Sequence, residues 1–264
     1  MTVETLREAT HGLEAVALLA FTAREYEGAI TFASSLGAED QVVTHMIASG
    51  HLAVPVFTLD TGRMFAESYD LMERTRQELG VAITPYLPDA DRVREMVSEH
   101  GVNLFYRSVE LRRACCHVRK VEPLQRALAG CRAWITGLRR AQSVTRAALE
   151  PVEWDEANGL IKISPLAHWS EEQVWSYIRE HRVPYHRLHD RGFPSIGCEP
   201  CTRAVEPGAD PRSGRWWWEQ PEHRECGLHT GAPARPVLTP ARVQVRGDGS
   251  SIGGAAGRPG AASD

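Results

Sequence analysis

The cysteines carry most of the chemistry that can be read from this sequence, which holds 6 of them in 264 residues. Cys115 and Cys116 are adjacent, and Cys198 and Cys201 form a Cys-x-x-Cys. Four thiolates in two pairs can close around a metal ion or an iron–sulfur cluster. Zinc ribbons usually present two Cys-x-x-Cys knuckles, so the adjacent first pair is unusual for zinc, yet spacing alone leaves zinc a strong rival. A vicinal disulfide at Cys115–Cys116 is the plainer alternative. Cys131 has no pattern around it and is expected to be a buried small apolar residue. Cys226, within Glu225-Cys226-Gly227-Leu228-His229, is left over as a reactive thiol. Arg212, Arg215, His223, Arg224 and His229 flank it. Positive charge favours thiolate over thiol and draws an anionic substrate toward it.

A second chemistry belongs to loops. Ser34 and Ser35 open Ser35-Leu36-Gly37-Ala38-Glu39-Asp40, a Ser-x-Gly-x-x-Asp pattern between an apolar run and a helical stretch. Backbone N–H groups at a helix N-terminus, with hydroxyls beside them, suit phosphate or sulfate. An ordinary strand–helix turn is the alternative. The sequence contains neither the P-loop nor the dinucleotide glycine fingerprint. Asp60 and Thr61 stand at a second strand end, able to accept bonds from ribose or adenine. Gly137, Arg139, Arg140 and Gln142 follow a third. In open α/β sheets ligands lie outside such ends. His186-x-x-His189 is read as a hydrogen-bonded pair rather than a zinc site.

The elements that must hold these residues alternate. The pattern predicts helices over 3–20, 39–49, 64–79, 91–100 and 117–129, and strands at 29–33, 54–59, 81–86, 134–137 and 160–163. Ser170 to Gln173 is a capping box opening a helix to about His181. Together they imply an α/β domain with a mainly parallel sheet over residues 1–205. Residues 206–229 form an arm in which Trp216, Trp217 and Trp218 anchor a loose segment, while Gly208, Pro211 and Gly214 let it swing. Residues 230–264 are rich in Gly, Ala, Pro and Ser and are expected to be disordered. A net charge of −4 argues against a general nucleic-acid binder. No leader-like apolar region and no run long enough to span a membrane stand out. A cytoplasmic protein is expected, and a homo-oligomer is left open.

In order along the chain, Ser34 to Asp40, Leu59 to Arg63, Cys115-Cys116-x-x-Arg119-Lys120-Val121-x-Pro123-Leu124, Trp134 to Arg139 with Gln142-Ser143, Pro194 to Thr202, Gly214 to Glu219 and Glu225 to His229 closely resemble the bacterial assimilatory adenylyl-sulfate (APS) reductases. The resemblance implies a Rossmann-like adenine-nucleotide α-hydrolase fold. It implies one 4Fe–4S cluster on Cys115, Cys116, Cys198 and Cys201, with Cys226 as the nucleophile. Lys120, Arg212, Arg215 and His229 would surround the phosphosulfate, and Ser34, Ser35, Gly37, Asp60, Gly137 and Arg139 would hold the adenosine part. Thioredoxin would be the reductant. Both cysteine pairs accompany use of APS rather than its 3′-phosphorylated form, PAPS. His186 stands where such proteins commonly have Asn, and His223-Arg224 where lysines are common. A nucleotide-activating enzyme on the same fold, or a non-catalytic iron–sulfur sensor, would need no lone reactive cysteine on an arginine-rich arm.

Overall fold

The computed structural model of the protein describes residues 1–142 and 146–220. Six short strands, β1 (Ile30–Ala33), β2 (Val56–Leu59), β3 (Ile83–Tyr86), β4 (Ala133–Ile135), β5 (Val152–Asp155) and β6 (Leu160–Ile163), form one sheet. Its order is β3-β2-β1-β4-β6-β5. Every neighbouring pair is parallel except β5–β6. The helices are α1 (Val3–Thr10), α2 (Ala15–Glu25), α3 (Ala38–Ser49), α4 (Ala66–Leu79), α5 (Ala90–His100), α6 (Val109–Cys116), α7 (Glu122–Ala127) and α8 (Glu171–His181).

Side-chain alternation splits the sheet's apolar residues between two cores, as a strand's period of two requires. Ile30, Phe32, Val56, Ala133, Ile135, Ile161 and Ile163 join one cluster with residues of α1, α2, α3 and α8. Phe57, Trp134 and Leu160 join another with Leu124, Ala127 and Leu128, in and just after α7. Burying a side chain such as Phe32 or Ile135 contributes about 1.5–3 kcal/mol. Both are fully buried. A third cluster lies beyond the sheet. It joins Met96, Leu104, Phe105, Val118, Cys115, Cys201 and Trp216.

Two features position the site. β1 lies between β2 and β4, so connections diverge there and open a crevice at the strands' carboxyl ends. Pairing of Ile30 with Ala133 and Phe32 with Ile135 brings those ends level. Immediately after Cys116, α6 widens into a π-helix, His117–Val121, in which Glu122 N–H reaches back to the His117 carbonyl. The chain then regains α geometry in α7.

Several expectations are corrected. The helix expected over 3–20 is two helices, broken around Gly12, whose φ of +74° suits glycine. The apolar period runs through that break, and Leu13 and Val16 are exposed. The helix expected from 117 begins eight residues earlier, where the Ser108 hydroxyl accepts a bond from Leu111 N–H. β5 was not foreseen. Its alternate residues Glu153 and Asp155 are polar, and it joins β6 in a hairpin. Asn158-Gly159, with Gly159 at φ +66°, was the signal for that turn. Cys131 is half-buried rather than buried. The capping box opening α8 is present with both its bonds. Among the described residues, no helix is long and apolar enough to cross a membrane.

Candidate active site

The crevice encloses about 290 Å³, and the segments following β1, β2 and β4 all contribute to its wall. Asp40, buried in the first turn of α3, fastens two of them. Its Oδ2 accepts from Ser35 N–H at 2.6 Å and from Ser35 Oγ at 2.5 Å. The Gly137 backbone N–H also bonds to this carboxylate. A Cβ on Gly137 would stand 2.1 Å from Asp40 Oδ1, so only glycine permits the approach. Burial pushes the Asp40 carboxyl up to about 6, against the pull of the Ser35 and Gly137 bonds. Gly37 is the N-cap of α3, presenting that helix's first N–H groups beside Ser34 and Ser35.

Arg139 lines the same end of the crevice, but its charge is matched. Its Nε and Nη2 donate to Glu39 Oε1 at 2.8 and 2.6 Å, and Nη1 donates to the Trp169 carbonyl. Asp60 stands just behind the cavity wall. Its Oδ1 accepts from Gly62 N–H at 2.8 Å and from the Tyr69 hydroxyl at 3.0 Å, so it shapes the turn after β2. Thr61, the next residue, lines the wall instead. Arg63 and Arg140 face elsewhere. The former donates to Val102 O and Asn103 and covers the Phe105 ring, and the latter pairs with Glu150.

The opposite end of the crevice is cationic. Lys120, Arg212, Arg215 and Cys198 line it. The segment after Cys201 folds back to deliver Arg215: Arg203 N–H bonds to Gly214 O, and Trp216 N–H bonds to Cys201 O. Arg215 Nη1 then donates to Ser195 Oγ and Ile196 O. A Cβ at Gly197 would lie 2.2 Å from Arg215 Nη2, so a side chain there would push the guanidinium out of this position. Trp216 is buried, and Trp217 and Trp218 are half-buried.

The two cysteine pairs meet beside this end. Cys115 and Cys201 sit in one apolar cluster, with Cys198 packed against it. None of the described cysteines is in a disulfide, so the vicinal bridge does not form. Burial works to raise the Cys198 thiol, yet Lys120, a bond with Thr61 Oγ1, Arg215 and Arg119 outweigh it and hold the thiol below its ordinary value. Cys201 is pushed up to about 12 by burial and by Cys198. Cys115 is raised by burial, and Arg119 opposes the rise. Burial opposes ionisation of Cys115 and Cys201, and a positive centre bound there would favour both as thiolates. Among the described residues, no three His, Cys, Asp or Glu side chains form a group that could hold a metal ion. Four cysteine thiols in two pairs are the kind of donor set that a four-iron cubane takes, one thiolate per iron.

Sequence reasoning gave no role to Glu39, Arg112, Arg119 or Glu219. Arg119 is buried, donates to Thr61 O at 2.6 Å and bonds to Cys115, joining the turn after β2 to the first pair. Arg139 and its partner Glu39 are 100 residues apart, a separation that leaves no local signal. His186 is hydrogen-bonded as expected, to Ser68 Oγ at 3.0 Å. Cys226, His229 and residues 230–264 lie outside the described residues.

Comparisons with known proteins agree with this geometry. Residues 29–204 match the phosphoadenosine phosphosulfate reductase domain family. The adenosine 5′-phosphosulfate reductase of Allochromatium vinosum is 54% identical over 88% of this chain and 91% of that protein. That of Burkholderia cepacia is 55% identical over 76% of this chain and 80% of its own length. Among solved structures, the phosphoadenylyl-sulfate reductase of Candida auris in a phosphate complex aligns with a TM-score of 0.66 at 29% identity, covering 77% of this chain and 96% of that one. The FMN adenylyltransferase of Candida glabrata, with a TM-score of 0.52 at 16% identity, shares 90% of this chain and 79% of its own; the likeness is of fold alone.

Proposed function

We propose, from the premise that the chain belongs to the phosphoadenosine phosphosulfate reductase domain family, that it reduces adenosine 5′-phosphosulfate to sulfite and AMP in sulfate assimilation. The observation that carries the reading is the cavity's polarity: loops suited to a nucleotide at one end, and Lys120, Arg212 and Arg215 at the other. In this reading the Cys226 thiolate attacks the sulfate sulfur. The bond from sulfur to the bridging oxygen breaks, and AMP leaves with that electron pair. Cys226 is left as an S-sulfocysteine. One thiol of a dithiol protein such as thioredoxin then attacks the Cys226 sulfur, and sulfite departs with the S–S electron pair. The second thiol displaces Cys226 and closes the carrier's disulfide.

The obstacle is repulsion between an anionic nucleophile and an anionic substrate. Fixed cations in a desolvated site lower that barrier most effectively. Cys115, Cys116, Cys198 and Cys201 would hold a 4Fe–4S cluster, whose 2+ core would offset part of the four thiolate charges, while Lys120, Arg215 and Arg119 supply the positive charge around Cys198. A cytoplasmic location, one cluster per chain and the arm boundaries at 206 and 229 belong to the same reading.

PAPS is the second candidate substrate, favoured by the Candida auris structure. Its 3′-phosphate needs dedicated cations, and Arg63 and Arg140, which stand in nucleotide loops, are turned to other partners. APS should therefore give the larger kcat/KM with the same thioredoxin. The deciding experiment is sulfite release from APS, with Cys226→Ser beside wild type. The variant should keep iron and nucleotide binding while turnover falls by more than about a thousandfold. Wild type treated with APS and no reductant should gain a sulfonate mass at Cys226. An adduct elsewhere, or retained turnover in the variant, rejects the reading. Stoichiometric zinc in a colourless, fully active protein would reject the cluster.

A further inference from the structure

Aromatic rings from two distant segments pack over the two cysteine pairs, and the reaction described above uses none of them. Phe105 and Tyr106 belong to a short 3-10 turn, Leu104–Tyr106, between α5 and α6. Trp217 and Trp218 come from the other side of the chain, and none of the four rings lines the crevice. Tyr106 meets Trp218 edge to face with ring centres 4.5 Å apart. Trp217 packs on Trp218 at 4.8 Å, and Phe105 on Tyr106 at 4.6 Å. Phe105 joins Cys115, Cys201 and Trp216 in one apolar cluster, against which Cys198 and Trp218 pack. Phe105 is 2% exposed and Tyr106 is 43% exposed, so Tyr106 is the outermost layer between solvent and the sulfurs.

Tyr106 is also tied to the second cysteine pair. Its hydroxyl donates to the Pro200 carbonyl at 2.8 Å, inside Cys198-Glu199-Pro200-Cys201. A second tie runs through Arg63. The Arg63 carbonyl accepts from Glu199 N–H at 2.8 Å. Its guanidinium donates to Val102 O and Asn103 Oδ1 and covers the Phe105 ring. The segment before α6 is therefore fastened at two points to the turn that carries Cys198 and Cys201. An exposed tyrosine has water within reach of its hydroxyl. Here the hydroxyl is spent on a carbonyl between two cysteines, which fixes the ring over that turn. The apolar shell around a metal site controls how far solvent reaches it.

We propose that Tyr106 is a positioning residue that holds the Cys198–Cys201 turn and, with Trp218, closes the outer face of the cysteine centre to water and dissolved oxygen. This rests on the assignment of a 4Fe–4S cluster to Cys115, Cys116, Cys198 and Cys201. The ring excludes solvent and the hydroxyl keeps the ring in place, so substitution separates the two parts. Tyr106→Phe removes only the bond to Pro200, whereas Tyr106→Ala removes the shield as well.

The test follows the visible absorption of full-length, iron-loaded protein over time, in air-saturated buffer and under nitrogen. In air, Tyr106→Ala should lose its absorption roughly tenfold faster than wild type, and Trp218→Ala should behave likewise. Tyr106→Phe should lose it about threefold faster, the order expected for one neutral hydrogen bond. Under nitrogen all three variants should hold iron and absorption as long as wild type does. That second readout separates a shield from a support, because a residue that only stabilises the fold would let iron escape with or without oxygen. Tyr106→Ala that persists in air like wild type overturns the proposal. So does a variant that loses its absorption as fast under nitrogen as in air. Failure of the underlying reading is seen separately, as wild type that develops no four-iron absorption when supplied with iron and sulfide.

Discussion

The two ends of the crevice are built on opposite electrostatic plans. At the end beside α3, acids and bases are matched: Asp40 is satisfied by Ser35 and Gly137, and Arg139 by Glu39. The described acids lining the cavity are Glu39, Asp40 and Glu171, and none comes from the cysteine-bearing segments. At the other end Lys120, Arg212 and Arg215 gather beside Cys198. A matched network sets geometry without needing a ligand. A gathering of cations beside thiols favours negative charge on those sulfurs and on any anion that enters. In the proposed reaction the first end would orient the nucleotide, and the second would meet the charge of the phosphosulfate.

Substitutions should separate the two plans. The largest effect is expected from Cys201→Ser, which removes one of four thiols. Iron should be lost, and sulfite production should drop below about a hundredth of wild type. An iron-replete, active Cys201→Ser protein would break the cationic end's link to the cysteines. Next is Arg215→Ala. Losing one preformed donor at a site of developing charge costs on the order of 10²–10³ in kcat. A change confined to KM would mean that Arg215 orients substrate and belongs with the first end.

Smaller effects are expected at the matched end. Asp40→Asn should raise KM for APS about tenfold, or about 1.4 kcal/mol, with little change in kcat. The same residue offers a pH signature. Its folded value of about 6 lies above the ordinary 3.8, so the native state holds this proton more tightly. The stabilising contribution is complete below about pH 4 and is lost as pH rises through about 6. The difference in Tm between wild type and Asp40→Asn should fall across that interval and then level off. A flat difference would show that Asp40 is not the strained member of its network. The smallest effect is expected from deleting residues 235–264, which should leave kcat/KM within about twofold of wild type. A larger loss would place a third contributor beside the two ends.

The sequence was most readable where a residue acts through its own neighbours. Ser35 to Asp40 is a local pattern, and the loop after β1 stands where that pattern put it. The same holds for the capping box at Ser170 and for glycine after α4, where Gly80 adopts φ +69°. Partnerships between separate elements left no trace. Nothing near Asp60 says that Tyr69 occupies its oxygen, and nothing near Arg112 points to Glu219, 107 residues away. Charges invite functional assignment because their partners are invisible in one dimension, as Arg63, Arg139 and Arg140 show. The split of the first helix was hidden for another reason: an apolar period continues in register through Gly12 although the backbone does not.

The π-turn after Cys116 has a consequence for how such a site can change. A π-turn accommodates one residue more than an α-turn of the same span, and each α-helical residue advances about 100°. Removing one residue from His117–Val121 would restore an ordinary helix. Cys115 and Cys116 before it and α7 after it could remain in place, while the side chains inside His117–Val121 would turn relative to both. Lys120 would leave the crevice wall, and Arg119 would lose the Thr61 carbonyl. A single-codon deletion could thus keep every cysteine while uncoupling the first pair from the substrate, a short mutational path between a catalyst and an inert relative.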